Sequence, residues 1–502
     1  MKNRIVISLL AGTLALGACN LDETPYGFYS EDNFFKTVAD AEAAVMYAYG
    51  TLNYLEYSRT IFFLGDMASE TMTTKSDASA DNQDLNNWKV GNFKTNGSLE
   101  NFFKYAFIGV NRANAVIKKV PDAGFSQEQK DLFLGEAYFL RAWNYFNLVR
   151  NFGLVPLHKS VVETVDQTST ALAPDMDAMY DLILSDCRRA AELLPVYETP
   201  KIGRADRVAA QALAAKAYLY VASAKEHGVK LYRDMHRDAT VMYDSAAYFA
   251  GEVIENQSVY GFESSLLDIY DVEKARGKEH IFIMAMDRSG SSEGQYSKIS
   301  KMFIPYIDGA TLYLKQGDKD EYILTHDGWG EYQTTVAFYN TFDASDKRKT
   351  ELIVDKVYKA DGTLLGEYPG KIPYPFCRKY IDPKFEGDKT STRPFLLRFS
   401  DVALIYAEAA GPTAKAYELV NFIRSRAGLG DMKPNLGKDE FRREILKERT
   451  FELAFEGDHV YDLRRWNRIT TDVPEAAGLS EDQVTFYPIP QAEINLNGSL
   501  RP

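Results

Sequence analysis

Several groups of residues have the types and spacing to do chemistry. Glu448, Glu452 and Glu456 recur at every fourth position, which on a helix stacks three carboxylates on one face. Paired carboxylates can hydrolyse glycosidic bonds, but acid and base must flank the bond from opposite sides. One helix face cannot do that, and Arg464 and Arg465 follow closely enough to neutralise the acids. The spacing predicts a structural ion-pair network. Gly290-Ser291-Ser292-Glu293-Gly294 matches G-x-S-x-G. A nucleophile elbow needs a strand that enters the turn directly and a helix that leaves it. Here Asp287-Arg288-Ser289 intervene after a β-like run at 281–286, so a loop is expected. The six His form neither HExxH nor a close pair on one helix face, and exposed loop or cap positions are expected for them. Asp77, Asp81 and Asp84, with Asn82 and Asn86, form a polar cluster without the Gly and terminal Glu of an EF-hand. No Walker A or G-x-G-x-x-G occurs. No catalytic residue, metal or cofactor is expected.

The aromatic residues are stronger candidates: 32 Tyr, 29 Phe and 4 Trp are more than the rest of the composition explains. A sugar offers a flat C–H face. An exposed Trp or Tyr can stack on it while Asn, Asp and Arg bind its hydroxyls. Trp143 and Trp466 fall on or beside helical patterns and are expected in the core. Trp88 and Trp329 sit in polar loops, Asn86-Asn87-Trp88 and Asp327-Gly328-Trp329-Gly330. They are the expected ligand-facing rings, with Asn87 and Asp327 as polar companions. Tyr296, Tyr306, Tyr313 and Tyr332 are further candidates.

The elements that must position these residues are mostly helices. Apolar residues at helical spacing predict them over 40–57, 99–120, 126–151, 174–194, 206–227 and 240–256. Asp40 is the expected cap of the first, Gly153 the stop of the third. Residues 206–227 are rich in Ala and should pack closely against a neighbour. From 260 to 395 Gly, Pro, Asp and Tyr rise, and short β-like runs appear at 281–286 and 351–358. Helices return at 400–410, 413–427 and 438–456. The fold class expected is all-α: tetratricopeptide-like hairpins with a loop-rich irregular region carrying a few short strands. Long ordered loops on a rigid scaffold usually carry function.

The N-terminus sets an address. Lys2 and Arg4 precede a mostly apolar run at 5–16, too short for a membrane span. The run ends in Leu16-Gly17-Ala18-Cys19, which resembles a bacterial lipobox, with Cys19 the lipidated residue and 1–18 the signal peptide. Losing Lys2 and Arg4 takes the net charge from −13 to −15. So acidic a chain is a poor partner for nucleic acid. Cys187 and Cys377 are expected to be free buried thiols.

A series of motifs in the C-terminal third carries a resemblance. Arg398-Phe399-Ser400-Asp401 leads into Leu404-Ile405-Tyr406-Ala407-Glu408-Ala409-Ala410, followed by Val420-Asn421-Phe422-Ile423-Arg424-Ser425-Arg426-Ala427-Gly428-Leu429. Glu448-Arg449-Thr450-Phe451-Glu452-Leu453-Ala454-Phe455-Glu456-Gly457, Tyr461-Asp462-Leu463-Arg464-Arg465-Trp466 and Tyr487-Pro488-Ile489-Pro490 complete it. The N-terminal half adds Leu21-Asp22-Glu23-Thr24-Pro25, Glu136-Ala137-Tyr138-Phe139-Leu140-Arg141-Ala142, Gly153-Leu154-Val155-Pro156-Leu157 and Gly203-Arg204-Ala205. In this order the set resembles the SusD/RagB family of Bacteroidetes outer-membrane lipoproteins. Two departures stand out. His459 replaces the family's usual Arg after Glu-Gly-X, and the usual terminal Gln-Asn-Pro reads Leu500-Arg501-Pro502. The resemblance implies an N-terminal helical region over 19–225 and a C-terminal region over 226–502 that includes the loop-rich segment 260–395. It implies a non-catalytic, surface-exposed lipoprotein anchored in the outer membrane. Such a protein caps a SusC-like TonB-dependent transporter and delivers a nutrient, typically an oligosaccharide. A peptide ligand, an all-helical glycoside hydrolase and a scaffold that binds only its transporter are the alternatives.

Overall fold

The computed structural model describes residues 35–54, 63–255, 257–274, 276–292 and 294–501. Cys19, its leader and the Leu21-Asp22-Glu23-Thr24-Pro25 motif lie outside the described residues. None of the described helices is long and apolar enough to cross a membrane.

The long helices are α1 (Val38–Tyr49), α2 (Gly97–Lys119), α3 (Gln127–Phe152), α4 (Met176–Leu193), α5 (Arg207–Glu226) and α6 (Ala239–Glu255). Most begin at a side chain that satisfies free backbone N–H groups. Asn96 caps α2, Asp175 caps α4 and Asp206 caps α5. In α3 Ser126 and Gln129 form a reciprocal capping box. In α1 the cap is Thr37 rather than Asp40. Asp40 sits three residues in and accepts from the Thr37 N–H at 2.8 Å, so it closes the box instead of opening the helix. α3 stops at Gly153, whose φ of +69° suits glycine.

Successive helices pack side by side from α1 to α6. Ala209, Ala210, Ala212, Ala214, Ala215 and Ala217 of α5 are all fully buried, which lets its neighbours approach closely. After α6 the chain leaves the array and returns as α7 (Phe399–Ala410), which packs against α6 and α5. The helices α8 (Ala414–Arg426), α9 (Lys438–Glu452) and α10 (His459–Arg465) follow. The array is therefore continuous in space though interrupted in sequence. One hydrophobic core runs from Ala41 to Tyr487, so the halves on either side of residue 225 are joined.

The interrupting segment holds more strand than its composition suggests. The strand β1 (Met72–Thr74) reaches it from the N-terminal side and pairs with β5 (Tyr332–Thr334). β2 (His280–Ile283) pairs with β10 (Phe395–Arg398). β3 (Thr311–Lys315) and β4 (Tyr322–His326) form a hairpin, extended by β7 (Lys356–Tyr358) and β8 (Leu364–Glu367) in the order β4-β3-β7-β8. β6 (Ile353–Val354) pairs with β9 (Phe376–Cys377). All these pairs are antiparallel. Only β3–β4 and β7–β8 are joined by short turns; β1–β5 and β2–β10 pair segments far apart in sequence.

A buried ion-pair network fastens this segment to the scaffold. Arg398 donates to Glu279 and Glu452 at 2.9 Å each and to Glu456 at 2.6 Å. Arg426 adds bonds to Glu279 and, at 2.8 Å, to Glu452. Lys379 donates to Glu456 at 2.6 Å, and Arg348 to Glu448 at 2.6 Å. The three glutamates are thus structural, as their spacing predicts, but their partners differ from the expected ones. Arg465 pairs with Asp462 and Glu408 instead, and Arg464 donates to the Arg150 carbonyl. Glu456 also lies beyond the end of α9. Arg398, the last residue of β10, and Arg426, the last residue of α8, both reach Glu452.

The histidines depart from expectation. His280, His326 and His459 are buried. His459 pairs with Glu70 at 2.7 Å, and its pKa is pushed up by that carboxylate against the opposing effect of burial. An Arg at this position would make the same kind of contact, which explains how the departure from the motif is accommodated. Cys187 and Cys377 are free and buried, and burial pushes the Cys377 thiol up to about 12. Ser291 and Ser292 lie in an exposed bend outside any strand or helix, as expected for a loop; Glu293 lies outside the described residues. Among the described residues no group of His, Cys, Asp and Glu is arranged to hold a metal.

Candidate functional site

The turn after β4 carries the exposed ring. Trp329 is 42% exposed, whereas Trp88, Trp143 and Trp466 are 3%, 3% and 8% exposed. The turn is fixed by backbone bonds to the Ile299–Phe303 helical turn and the residues after it. The N–H of Trp329 donates to the Lys301 carbonyl at 2.7 Å, that of Gly328 to Pro305 at 3.1 Å and that of Gly330 to Ile304 at 2.9 Å. A Cβ at Gly328 would overlap the carbonyl oxygens of Lys301 and Ile304. Gly330 has φ +60° and sits against the Tyr374 hydroxyl. Only glycines allow so close an approach on both sides of the ring.

The same stitching brings Tyr306 to the site. Tyr306 follows Pro305 directly and is 68% exposed. Asp327 accepts from the Gly309 N–H at 2.8 Å, which closes the 301–309 segment onto the turn. The preceding His326 is buried against Phe385, with ring centroids 4.3 Å apart. Its Nδ1 donates to the Asp327 carbonyl at 2.9 Å. Burial lowers its pKa, so the ring is neutral and acts as a spacer under the turn. Lys301 places its ammonium 5.9 Å from the Trp329 ring centroid, within cation–π range. The turn thus exposes Trp329 with the Lys301 ammonium near its ring, and Tyr306, also exposed, follows Pro305, whose carbonyl accepts from Gly328.

The remaining expected residues divide. Tyr296 is half-buried at the other end of the Ile299–Phe303 turn, near the ammonium groups of Lys389 at 5.1 Å and Lys298 at 5.7 Å. Tyr313 is half-buried within β3, opposite Leu324 and Tyr358 in the sheet. Tyr332 is 1% exposed and packs on Phe303 at 5.2 Å, so its ring cannot meet a ligand. Trp88 must be corrected in the same way. Its Nε1 donates to the Ala68 carbonyl at 3.0 Å, and its ring meets Tyr487 and Phe93. A local sequence of Asn residues suggested exposure. A positive φ of +50° at Trp88 instead turns the ring into the core. Asn87 is exposed, but it follows a short helix and bonds the Gln83 carbonyl at 2.7 Å. It does not accompany an exposed ring. Replacing Trp88 by Phe should lower stability by about 1 kcal/mol, the cost of one lost buried hydrogen bond. Thermal melts would show this, and ligand affinity should not change.

Pattern reading missed the polar flank of the platform. Glu331, two residues beyond Trp329, accepts from Asn82 at 2.8 Å and lies 3.5 Å from Lys75. These residues meet because β1 pairs with β5, Met72 facing Thr334. No spacing rule signals a two-strand ladder formed across so long a separation.

Helical hairpins thus carry an exposed aromatic turn on an inserted, strand-bearing segment. Comparison with known proteins places this architecture in a family. Residues 355–501 match the SusD family model, and residues 21–219 match a model described as starch-binding associating with outer membrane. The chain belongs to the SusD/RagB family. It is 27% identical to SusD-like protein P2 of Formosa agariphila, over 100% of this chain and 99% of that protein. A SusD homolog from Bacteroides thetaiotaomicron superposes with a TM-score of 0.77 at 20% identity, covering 94% of this chain and 98% of the other. Surface glycan-binding protein A from the same organism, in complex with laminarihexaose, superposes with a TM-score of 0.71 at 20% identity, covering 92% and 98%.

Proposed function

We propose that the chain is a surface lipoprotein, anchored in the outer membrane through Cys19 after removal of residues 1–18. It captures an oligosaccharide on the Trp329–Tyr306 platform. It then hands the sugar to a SusC-like TonB-dependent transporter, over which it sits as a lid. It binds and does not cleave. The observation that carries this function is Trp329, an exposed indole held by three backbone hydrogen bonds on a turn that glycines alone permit. A large apolar ring left in solvent on a rigid turn contributes little to folding, and it matches the C–H face of a pyranose. The family description and the laminarihexaose complex of a structural relative support a glycan as the ligand class. Transport itself is supported by the family alone.

The test is a calorimetric screen of the chain from residue 20 onward against neutral oligosaccharides and a matched set of short peptides. Saturable binding of at least one oligosaccharide is expected. Binding of peptides only, or release of shorter sugars from the oligosaccharides, would contradict it.

A further inference from the structure

A second cleft lies away from the platform turn, in the interrupting segment. Its volume is about 520 Å³, within the range of roughly 300–1,000 Å³ that small-molecule sites occupy. It opens between the residues around the Leu266–Ile269 helical turn, the β3–β4 connection and the chain after β9. Arg378 lines it and is only 8% exposed. One of its nitrogens donates to the Lys315 carbonyl. Among the described residues the Arg378 side chain makes no other hydrogen bond and no ion pair. Burial pulls its pKa down to about 10, with Glu351 the one carboxylate that opposes the shift. Glu351, half-buried on the same cleft, likewise has no ion-pair partner, and burial pushes its pKa up.

The remaining polar atoms of Arg378 and Glu351 are therefore free to face the cleft, where a bound ligand can meet them. Arg398, by contrast, is paired with three carboxylates within the fold. The rest of the lining indicates what the missing partner is. Asp268, Asp271, Asp318, Glu321 and Glu351 outnumber Lys319 and Arg378, so an anionic ligand would be repelled at the mouth. Leu267, Ile323 and Ile381 add an apolar wall. Donors, acceptors and an apolar face in one cleft match the hydroxyls and C–H face of an uncharged pyranose. Its hydroxyls can accept from Arg378 and donate to Glu351 and Asp318.

We infer that this cleft is a second binding site, for a neutral pyranose or the end of a neutral oligosaccharide, separate from the Trp329 platform. It stands on its own geometry and does not need the platform to bind.

Saturation-transfer NMR with the full chain tests it. The probes are the methyl glycosides of glucose, galactose and mannose, N-acetylglucosamine, and glucuronate as the anionic control. At least one neutral probe should bind saturably, and more tightly than glucuronate. Trp329→Ala should leave that binding intact. Glu351→Gln, which keeps the side-chain shape, and Asp318→Asn, on an exposed turn, should each weaken it at least fivefold without lowering the melting temperature. Arg378→Gln should abolish it; if that variant fails to fold, the two acid variants decide. The inference is overturned if no neutral probe binds, if glucuronate binds best, or if neither acid variant weakens binding. Loss of binding in Trp329→Ala with none in the acid variants would overturn this site while leaving the platform in place. Loss in the acid variants alone establishes the cleft, whatever becomes of the platform.

Discussion

Replacing Glu452 by Ala is expected to destabilise the folded chain by about 3–5 kcal/mol, the cost of breaking a buried ion pair by removing one partner. The reason is local and specific. Glu452 is 2% exposed and accepts from Arg398 at 2.9 Å and Arg426 at 2.8 Å. Removing it leaves Arg398 and Arg426 with less compensating charge in the place where the insertion meets α7, α8 and α9. A lower denaturation midpoint in urea and by heat checks this. Binding per folded molecule should be unchanged, because Glu452 is remote from solvent and from the platform. Loss of binding with unchanged melting would give Glu452 a ligand role instead. Acid should have the same effect as the mutation. Coulombic attraction from Arg426 and Arg398, against burial, holds the Glu452 pKa far below the usual range. A carboxylate depressed in the folded state contributes stability that is present above its unfolded pKa, about 4.3. That contribution is lost as pH falls below this value toward the folded pKa.

Trp329→Ala is expected to lower glycan affinity by tenfold or more, about 1.4 kcal/mol at the least, with no drop in melting temperature. Aromatic anchors carry a large share of binding energy when a ligand covers them, and this ring contributes little to the core because it is 42% exposed. The turn should keep its shape without the side chain, since backbone N–H groups make its bonds to Lys301, Pro305 and Ile304. Tyr306→Ala should have a smaller effect in the same direction. Calorimetric titration of both variants with the oligosaccharide that the wild type binds provides the comparison.

The helical scaffold was largely legible in the sequence because its signals are local. Ser126 with Gln129 starts α3, Gly153 ends it, and the buried Ala residues of α5 mark a close helix contact. The same local patterning marks the C-terminal helices at 400–410, 413–427 and 438–456. What was not legible depends on contacts between distant segments. Trp88 looks exposed among Asn86 and Asn87, yet Tyr487 covers it from the other end of the chain. Tyr332 looks like a loop residue, yet it lies in a ladder with β1. The spacing of Glu448, Glu452 and Glu456 marks them as structural, but no spacing tells that Arg398, Arg426 and Arg348, rather than Arg464 and Arg465, meet them. Of the two loop tryptophans, Trp329 remains exposed because the glycines beside it bring the turn's backbone against the neighbouring segment and leave the ring outside.

That difference makes the central claim directly measurable. Three of the four tryptophans are buried, and only Trp329 is open to solvent. Acrylamide quenching of the intrinsic fluorescence should therefore show one accessible component, absent from Trp329→Phe. Saturating oligosaccharide should protect that component in the wild type, because a sugar stacked on the indole excludes the quencher. Saturable calorimetric binding of the same oligosaccharide with the accessible component still fully quenched would place the ligand elsewhere and contradict the platform.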